Sequence, residues 1–340
     1  MASSTGIEPD LLNPTLAQIA MCTNDLPRTV ELYSEALGFL RTRAEVMAGK
    51  WLAKVQELGD DGSVVIFWLV DRQEFFQLEV VYHFQPRQRP LPADWRPSDL
   101  GWVRWGMEVD DIDACVERLA ERNVQTITPV RDYGSMGRRV AFRDPYVGVI
   151  VELIEQPGTD ASSAQEKRPP AVRYTTLSVP DIEQARRYWT NTIGLVEEPR
   201  EKLHLPEMEA LWGLDGAEQV SFLARGGDRY FEIVEYRSPR GRPPAEDRIL
   251  SDQGIMNPSV GYRDRDQLDA CAERVEAAGG TISAPFSPKG LPAGSYTRTP
   301  DGASVELYSV APVFNTLCGF TPARKEETAA NMMALLLETV

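Results

Sequence analysis

The chain has 340 residues, of which 42% are hydrophobic and 26% charged, and its formal net charge is −15. That length suffices for two average domains with a sizeable core, and the acidity excludes a phosphate-backbone binder, which needs a basic surface. No apolar run approaches the roughly 18–20 residues of a membrane span. The start MASSTGIEPDLLNP lacks the basic-then-apolar pattern of an export signal, so a cytoplasmic protein with four reduced cysteines is expected.

In chain order, the first pattern is an apolar stretch containing Gln18, then Asp25, then VELYSEALGF. The alternation predicts a half-buried strand, Asp25 a helix N-cap, and Gly38 a left-handed helix stop. The same pattern returns at 174–194: Tyr174 stands where Gln18 did, Asp181 matches Asp25, and Gly194 lies 13 positions on, as Gly38 does from Asp25. A second related pair follows the same plan. DACVER at 113–118 and DACAER at 269–274 sit on predicted amphipathic helices, each preceded by a strand and followed by a strand ending in a glutamate, Glu152 and Glu306. The chain therefore reads as four strand–helix–strands units, near 15–84, 101–156, 172–237 and 256–310. The linker 157–171, rich in Pro, Ser and charge, divides it into halves 1–156 and 172–310, each expected to be a domain of two units. Shorter Pro/Arg arms join the units within each half. A C-terminal helix is predicted in the tail 311–340, with Thr321 as N-cap and Pro322 at its first position.

Four repeats of this unit, with a strand–Asp–helix–Leu-Gly head and a PDGxxxEL tail, resemble the vicinal oxygen chelate superfamily, which includes glyoxalase I, bleomycin resistance proteins and extradiol dioxygenases. The resemblance covers about residues 15–310. It implies an α+β fold: four βαβββ units paired into two glyoxalase/bleomycin-resistance-like domains with open barrel-like clefts. It also implies metal ligands on the first and last strands of paired units. Carried over, the first-strand places are Gln18, Arg104, Tyr174 and one near Ser259 or Val260; the last-strand places are Glu79, Glu152, Glu232 and Glu306.

The first-strand histidines of metal-binding members are missing. Only His83 and His204 exist, so the two-histidine, one-carboxylate iron site of a ring-cleaving dioxygenase is disfavoured. Gln18, Glu79 and either Glu306 or Glu152 would instead suit a hard divalent ion, Mg, Mn or Ca, with no metal at all as the runner-up. Which units share a cleft, and which cleft is active, the sequence leaves open. Strand alternation puts His83 on the face of Glu79, Trp102 on that of Arg104 and Tyr262 on that of Val260. The expected catalytic set is Glu79, Arg104 and His83, with Tyr174, Glu232, Trp102 and Tyr262 contacting substrate. The expected activity is that of a lyase or isomerase acting on a hydrophobic, aromatic small metabolite by proton abstraction and enolate stabilisation. The alternative is a non-catalytic protein that sequesters an aromatic compound. A homodimer is expected; nucleic acid and membrane are not.

Overall fold

The structure is a computed structural model that describes residues 13–158 and 168–323. Unit one runs β1 (Thr15–Cys22), α1 (Leu26–Glu31), β2 (Leu40–Ala48), α2 (Lys50–Val55), β3 (Ser63–Val70) and β4 (Gln77–Gln85). Unit two has β5 (Gly101–Glu108), α3 (Ile112–Ala120), β6 (Arg131–Asp132), β7 (Arg138–Arg143) and β8 (Ile150–Glu155). Unit three has β9 (Ala171–Ser178), α4 (Ile182–Arg187), β10 (Val196–Glu198), β11 (Glu218–Gly226) and β12 (Arg229–Ser238). Unit four has β13 (Gly254–Tyr262), α5 (Arg265–Ala277), β14 (Ala293–Arg298) and β15 (Ser304–Ser309). Only two strands follow its helix among the described residues, because Pro285, Pro288 and Pro292 occupy the stretch where a further strand would need backbone donors.

The helix heads form as their residues dictate. Asp25, Asp111, Asp181 and Asp264 each accept a hydrogen bond from the backbone N–H of the first helical turn. In units one and three the helix loosens into the same π-helical turn, Leu32–Ala36 and Tyr188–Ile193. Gly194 caps the second with φ +91°, and Gly38 has φ +88°. A shared irregularity at matching places is what duplication of one unit would leave.

The strands form two open sheets, not a closed barrel. One runs β14-β15-β13-β1-β4-β3-β2, the other β10-β11-β12-β9-β5-β8-β7-β6. Unit one thus pairs with unit four, and unit two with unit three, through the antiparallel first-strand pairs β1–β13 and β5–β9. This corrects the expected division into 1–156 and 172–310: each sheet takes one unit from either side of the linker. The linker's described end packs back on the first half, where Pro170 accepts from Arg72 N–H at 3.0 Å and Arg168 bridges Asp110 at 2.9 Å.

A single large core includes residues from the helix-bearing faces of both sheets, among them Leu16, Tyr33, Trp105, Val151, Trp189, Phe231 and Leu307. The opposite faces form two clefts, the first on the β1–β13 sheet and the second on the β5–β9 sheet. Residues 311–320 close one end of the first cleft. Phe320 packs on Phe75 with ring centroids 5.0 Å apart. Gly319, at φ +78°, brings its backbone so close to Trp68 and Gln77 that a Cβ would lie 3.1 Å from each. The helix predicted after Thr321 and Pro322 lies outside the described residues.

Candidate active site

In the first cleft Gln18 and Glu79 meet, as the sequence proposed, and the partner glutamate is Glu306 from unit four. The Gln18 amide donates to Glu79 at 2.5 Å and to Glu306 at 3.3 Å. Ser259 donates its hydroxyl to Glu306. The backbone register shows which residue of unit four answers to Gln18. In the parallel pairs, Ala20 stands beside Glu79 and Ser259 beside Glu306. Across the sheet Gln18 faces Ser259, and Ala20 faces Asn257. The two strands are therefore related by a local twofold that exchanges Gln18 with Asn257 and Ala20 with Ser259. The sequence-based place near Ser259 or Val260 was two or three residues late. The signal was present: Asp264, which caps the helix, lies seven positions after Asn257, as Asp25 does after Gln18. The DAC match hid it, because α5 begins three residues earlier relative to that motif than α3 does.

The electrostatics of this site are unusual. Burial pushes the Glu79 carboxyl up to about 8, and the neighbouring Glu306 adds to the rise. Burial also raises Glu306, to about 7. Among the described residues no cationic side chain pairs with either. Asn257 is fully buried, and neither its oxygen nor its nitrogen makes a well-aligned hydrogen bond, although the Tyr296 hydroxyl lies near it. A buried, unsatisfied amide normally costs about 1–3 kcal/mol, so an orphan beside two uncompensated carboxyls marks a place built for something else. Gln18, Glu79, Asn257 and Glu306 offer only oxygen donors, which suits a hard divalent cation and not zinc or copper.

Beyond these groups the cleft turns apolar, with Leu52, Val64, Ile66, Val81, Met256 and Tyr296 in one buried cluster. His83 shares this cleft, as strand alternation predicted, two positions past Val81. Its Nε2 lies 2.9 Å from Gln56 Oε1 and its Nδ1 3.8 Å from Cys22 Sγ. Burial lowers its pKa to about 4, so the ring is neutral at pH 7.

The second cleft is filled by its own side chains. Arg104, expected to grip an anion, donates to Glu232 at 2.7 Å and to the Tyr236 hydroxyl at 2.8 Å, beneath Trp212 at 3.7 Å. His204 sits between Glu232 at 2.8 Å and Glu152 at 3.0 Å. Arg139 bridges Glu152 at 2.8 Å, Arg200 bridges Glu232 at 3.1 Å, and Tyr174 donates its hydroxyl to Glu152. All eight of these ionic and phenolic side chains are buried. His204, Arg200 and Trp212 arrive on the segment between β10 and β11, which in unit three lies over the sheet as a plug. Arg104, Tyr174, Glu232 and Glu152 face the second cleft, where they are buried and bonded to one another and to Arg139, His204 and Tyr236 rather than to the Gln18 site. Glu152 is not a partner of Gln18, since it belongs to the other sheet.

Two further expectations fail on register. A bulge at Val103 separates Trp102 from Arg104, so Trp102 turns to the other face and donates to the Ser304 carbonyl at 2.9 Å. Tyr262 lies in the main core because Ser259, not Val260, faces the cleft; a one-residue change of phase flips every side chain.

Residues 15–153 match the model of the Glyoxalase/Bleomycin resistance protein/Dioxygenase superfamily. That match spans units one and two. Its fold is similar to that of glyoxalase I from Zea mays, at a TM-score of 0.56 and 15% identity over 87% of this chain and 92% of that one. It is also similar to a putative dioxygenase from Bacillus subtilis, at a TM-score of 0.55 and 13% identity over 94% of this chain and 89% of that one. At these identities the likeness is one of fold. No curated protein matches the sequence. Within the superfamily fold, this chain has one cleft with uncompensated acids and one that is closed. No helix among the described residues is long and apolar enough to cross a membrane.

Proposed function

We propose that the first cleft is the active site of a lyase or isomerase that removes a proton next to a carbonyl of a hydrophobic, aromatic small molecule. One observation carries this reading: Glu79 and Glu306 face each other in a buried cleft without a cationic partner among the described residues, whereas Glu152 and Glu232 in the second cleft are paired with arginines. A carboxyl with a pKa near neutrality is suited to proton transfer, because it is both basic enough to take a proton and able to release it at pH 7. Glu79, the more strongly raised, is the base. Glu306 is held by Ser259 and Gln18 and steadies the opposite side of the substrate. Gln18, Glu79, Asn257 and Glu306 would hold a divalent cation, which when bound polarises the carbonyl and stabilises the enolate charge. The apolar wall from Leu52 to Tyr296 excludes water and receives the aromatic body. His83, neutral and bonded to Gln56, supports the wall and is not an imidazolium acid.

An iron ring-cleaving site is disfavoured by the donors themselves. The two histidines of the chain lie in different clefts, and both nitrogens of each already face protein groups. Simple sequestration of an aromatic compound is the second reading, supported by the apolar cluster that makes up most of the cleft.

The test is deuterium exchange. Aryl-substituted 2-oxo acids are incubated with protein in D2O and their α-C–H signals followed by NMR. Exchange above background that is lost in Glu79→Gln supports the enzyme. Binding without exchange, seen as saturation transfer to the ligand, transfers the assignment to sequestration.

A further inference from the structure

The two Pro/Arg arms are copies of one another. RQRPLPADW at 87–95 overlies RGRPPAEDR at 240–248 with a constant offset of 153, and Asp99 then overlies Asp252. They clasp reciprocally. Arg89 forks onto Asp252 at 2.6 and 2.9 Å and reaches Asp247 at 2.5 Å. Arg242 forks onto Asp99 at 2.7 and 3.0 Å and reaches Asp94 at 2.5 Å. Beneath the clasp lies a cavity of about 730 Å³.

Of the positions at which the arms differ, one exchanges an aromatic ring for a cation. In the first arm it is Trp95, which packs with Met208, Leu211 and Trp212 and so helps plug the second cleft. In the second arm it is Arg248, which lines the cavity. Among the described residues no carboxylate lies within ion-pairing distance of Arg248. The nearest acid to influence it, Asp252, is already taken by Arg89, and its one side-chain hydrogen bond is to the Gln253 carbonyl at 3.0 Å. Its charge acts on the thiol of Cys22, at the end of β1. Adjacent to that thiol lies the Gln88 amide, which interacts with it. Leu250 and Met256 belong both to the cavity wall and to the apolar cluster of the first cleft. The cavity therefore adjoins that cluster.

We propose that Arg248 is an anion subsite that receives a carboxylate on the substrate, and so determines its class: an aryl or alkyl acid whose apolar body reaches back to the Gln18 site. This rests on the first cleft being the ligand site. Gln18 and Cys22 are four residues apart on β1, about 13 Å at roughly 3.3 Å per residue, so the ligand is long, acidic at one end and carbonyl-bearing at the other. Arginine is suited to the task because its planar fork matches a carboxylate with two parallel hydrogen bonds. A local cation is also required, since a net charge of −15 repels an anion everywhere else.

The probe pair is 5-phenylpentanoate and 5-phenylpentan-1-ol, titrated calorimetrically into metal-free protein. The acid binds the wild type at least about tenfold tighter than the alcohol, the scale of a charged hydrogen bond. Arg248→Met abolishes the preference, Arg248→Lys restores part of it, and Glu79→Gln leaves it intact. Equal affinity of acid and alcohol in the wild type overturns the proposal without any variant having to fold. Persistence of the preference in folded Arg248→Met overturns it as well. The two readings fail separately: absence of proton exchange in the wild type refutes the catalytic reading, and an acid preference that persists there leaves the subsite standing.

Discussion

Gln18 and Asn257 occupy twofold-equivalent positions on the paired strands β1 and β13: Gln18 stands opposite Ser259, and Asn257 opposite Ala20. The Gln18 amide is bonded to Glu79 and Glu306, while the Asn257 amide reaches neither carboxyl and makes no well-aligned hydrogen bond. A divalent cation at this point would satisfy the orphaned carbonyl and compensate both carboxyls. Titration with Mn2+ or Mg2+ is therefore expected to raise the melting temperature. Asn257→Leu and Gln18→Leu should each weaken the cation at least about tenfold, roughly 1.4 kcal/mol. Glu152→Gln, in the other cleft, should leave cation affinity unchanged. Calorimetric titration of the three variants decides it, and equal affinity for wild type and Asn257→Leu would remove Asn257 from the site.

Glu79→Gln retains shape and a hydrogen-bonding oxygen for Gln18 but cannot take a proton. Its turnover is expected to fall by about 10²–10⁴-fold, the usual contribution of a positioned base, while substrate affinity changes little. The paired measurement of kcat and KM separates this from a binding role, which would move KM instead.

The opposite outcome is expected for Arg104. Its removal leaves Glu232 buried with fewer cations around it, which ordinarily costs about 3–5 kcal/mol. Arg104→Ala is thus expected to lower the denaturant midpoint sharply, with turnover per folded molecule preserved. Loss of turnover at unchanged stability would show that the second cleft takes part in chemistry.

The contrast between the clefts also explains what could be read from the residues alone. Helix caps and strand alternation are local, so the four units, the caps at Asp25 and Asp181, and the inward direction of Gln18, Glu79 and His83 were legible. The pairing of units was not, because β1 meets β13 across more than two hundred residues and nothing local selects that partner over β5. Nor could bulges at Ala17, Val103 and Met256 be seen, although each shifts the face of its neighbours. Above all, whether a polar residue in a cleft is available depends on what lies over it. Glu152 and Glu232 are carboxylates at places matching Glu306 and Glu79, and it is the plug carrying His204 and Trp212 that covers and pairs them.

That plug sets the acid stability of the protein. Burial alone would raise the Glu152 carboxyl, but His204 and Arg139 beside it hold it down at about 2, well under the ordinary 4.5. Arg104 and His204 likewise hold Glu232 well below its usual range. A carboxyl depressed in the folded state contributes stability that is fully present above its unfolded pKa and is lost as pH falls through the folded one. The protein should therefore keep its stability down to about pH 4.5 and lose it progressively toward pH 2, as protons break the bridges to Arg139 and Arg104. Glu152→Gln should be less stable at pH 7 yet show a shallower loss over that window, because one of the titrating partners is gone. Urea midpoints measured from pH 7 to pH 2.5 for both proteins provide the comparison, and parallel curves would mean that the plug's ion pairs do not control acid unfolding.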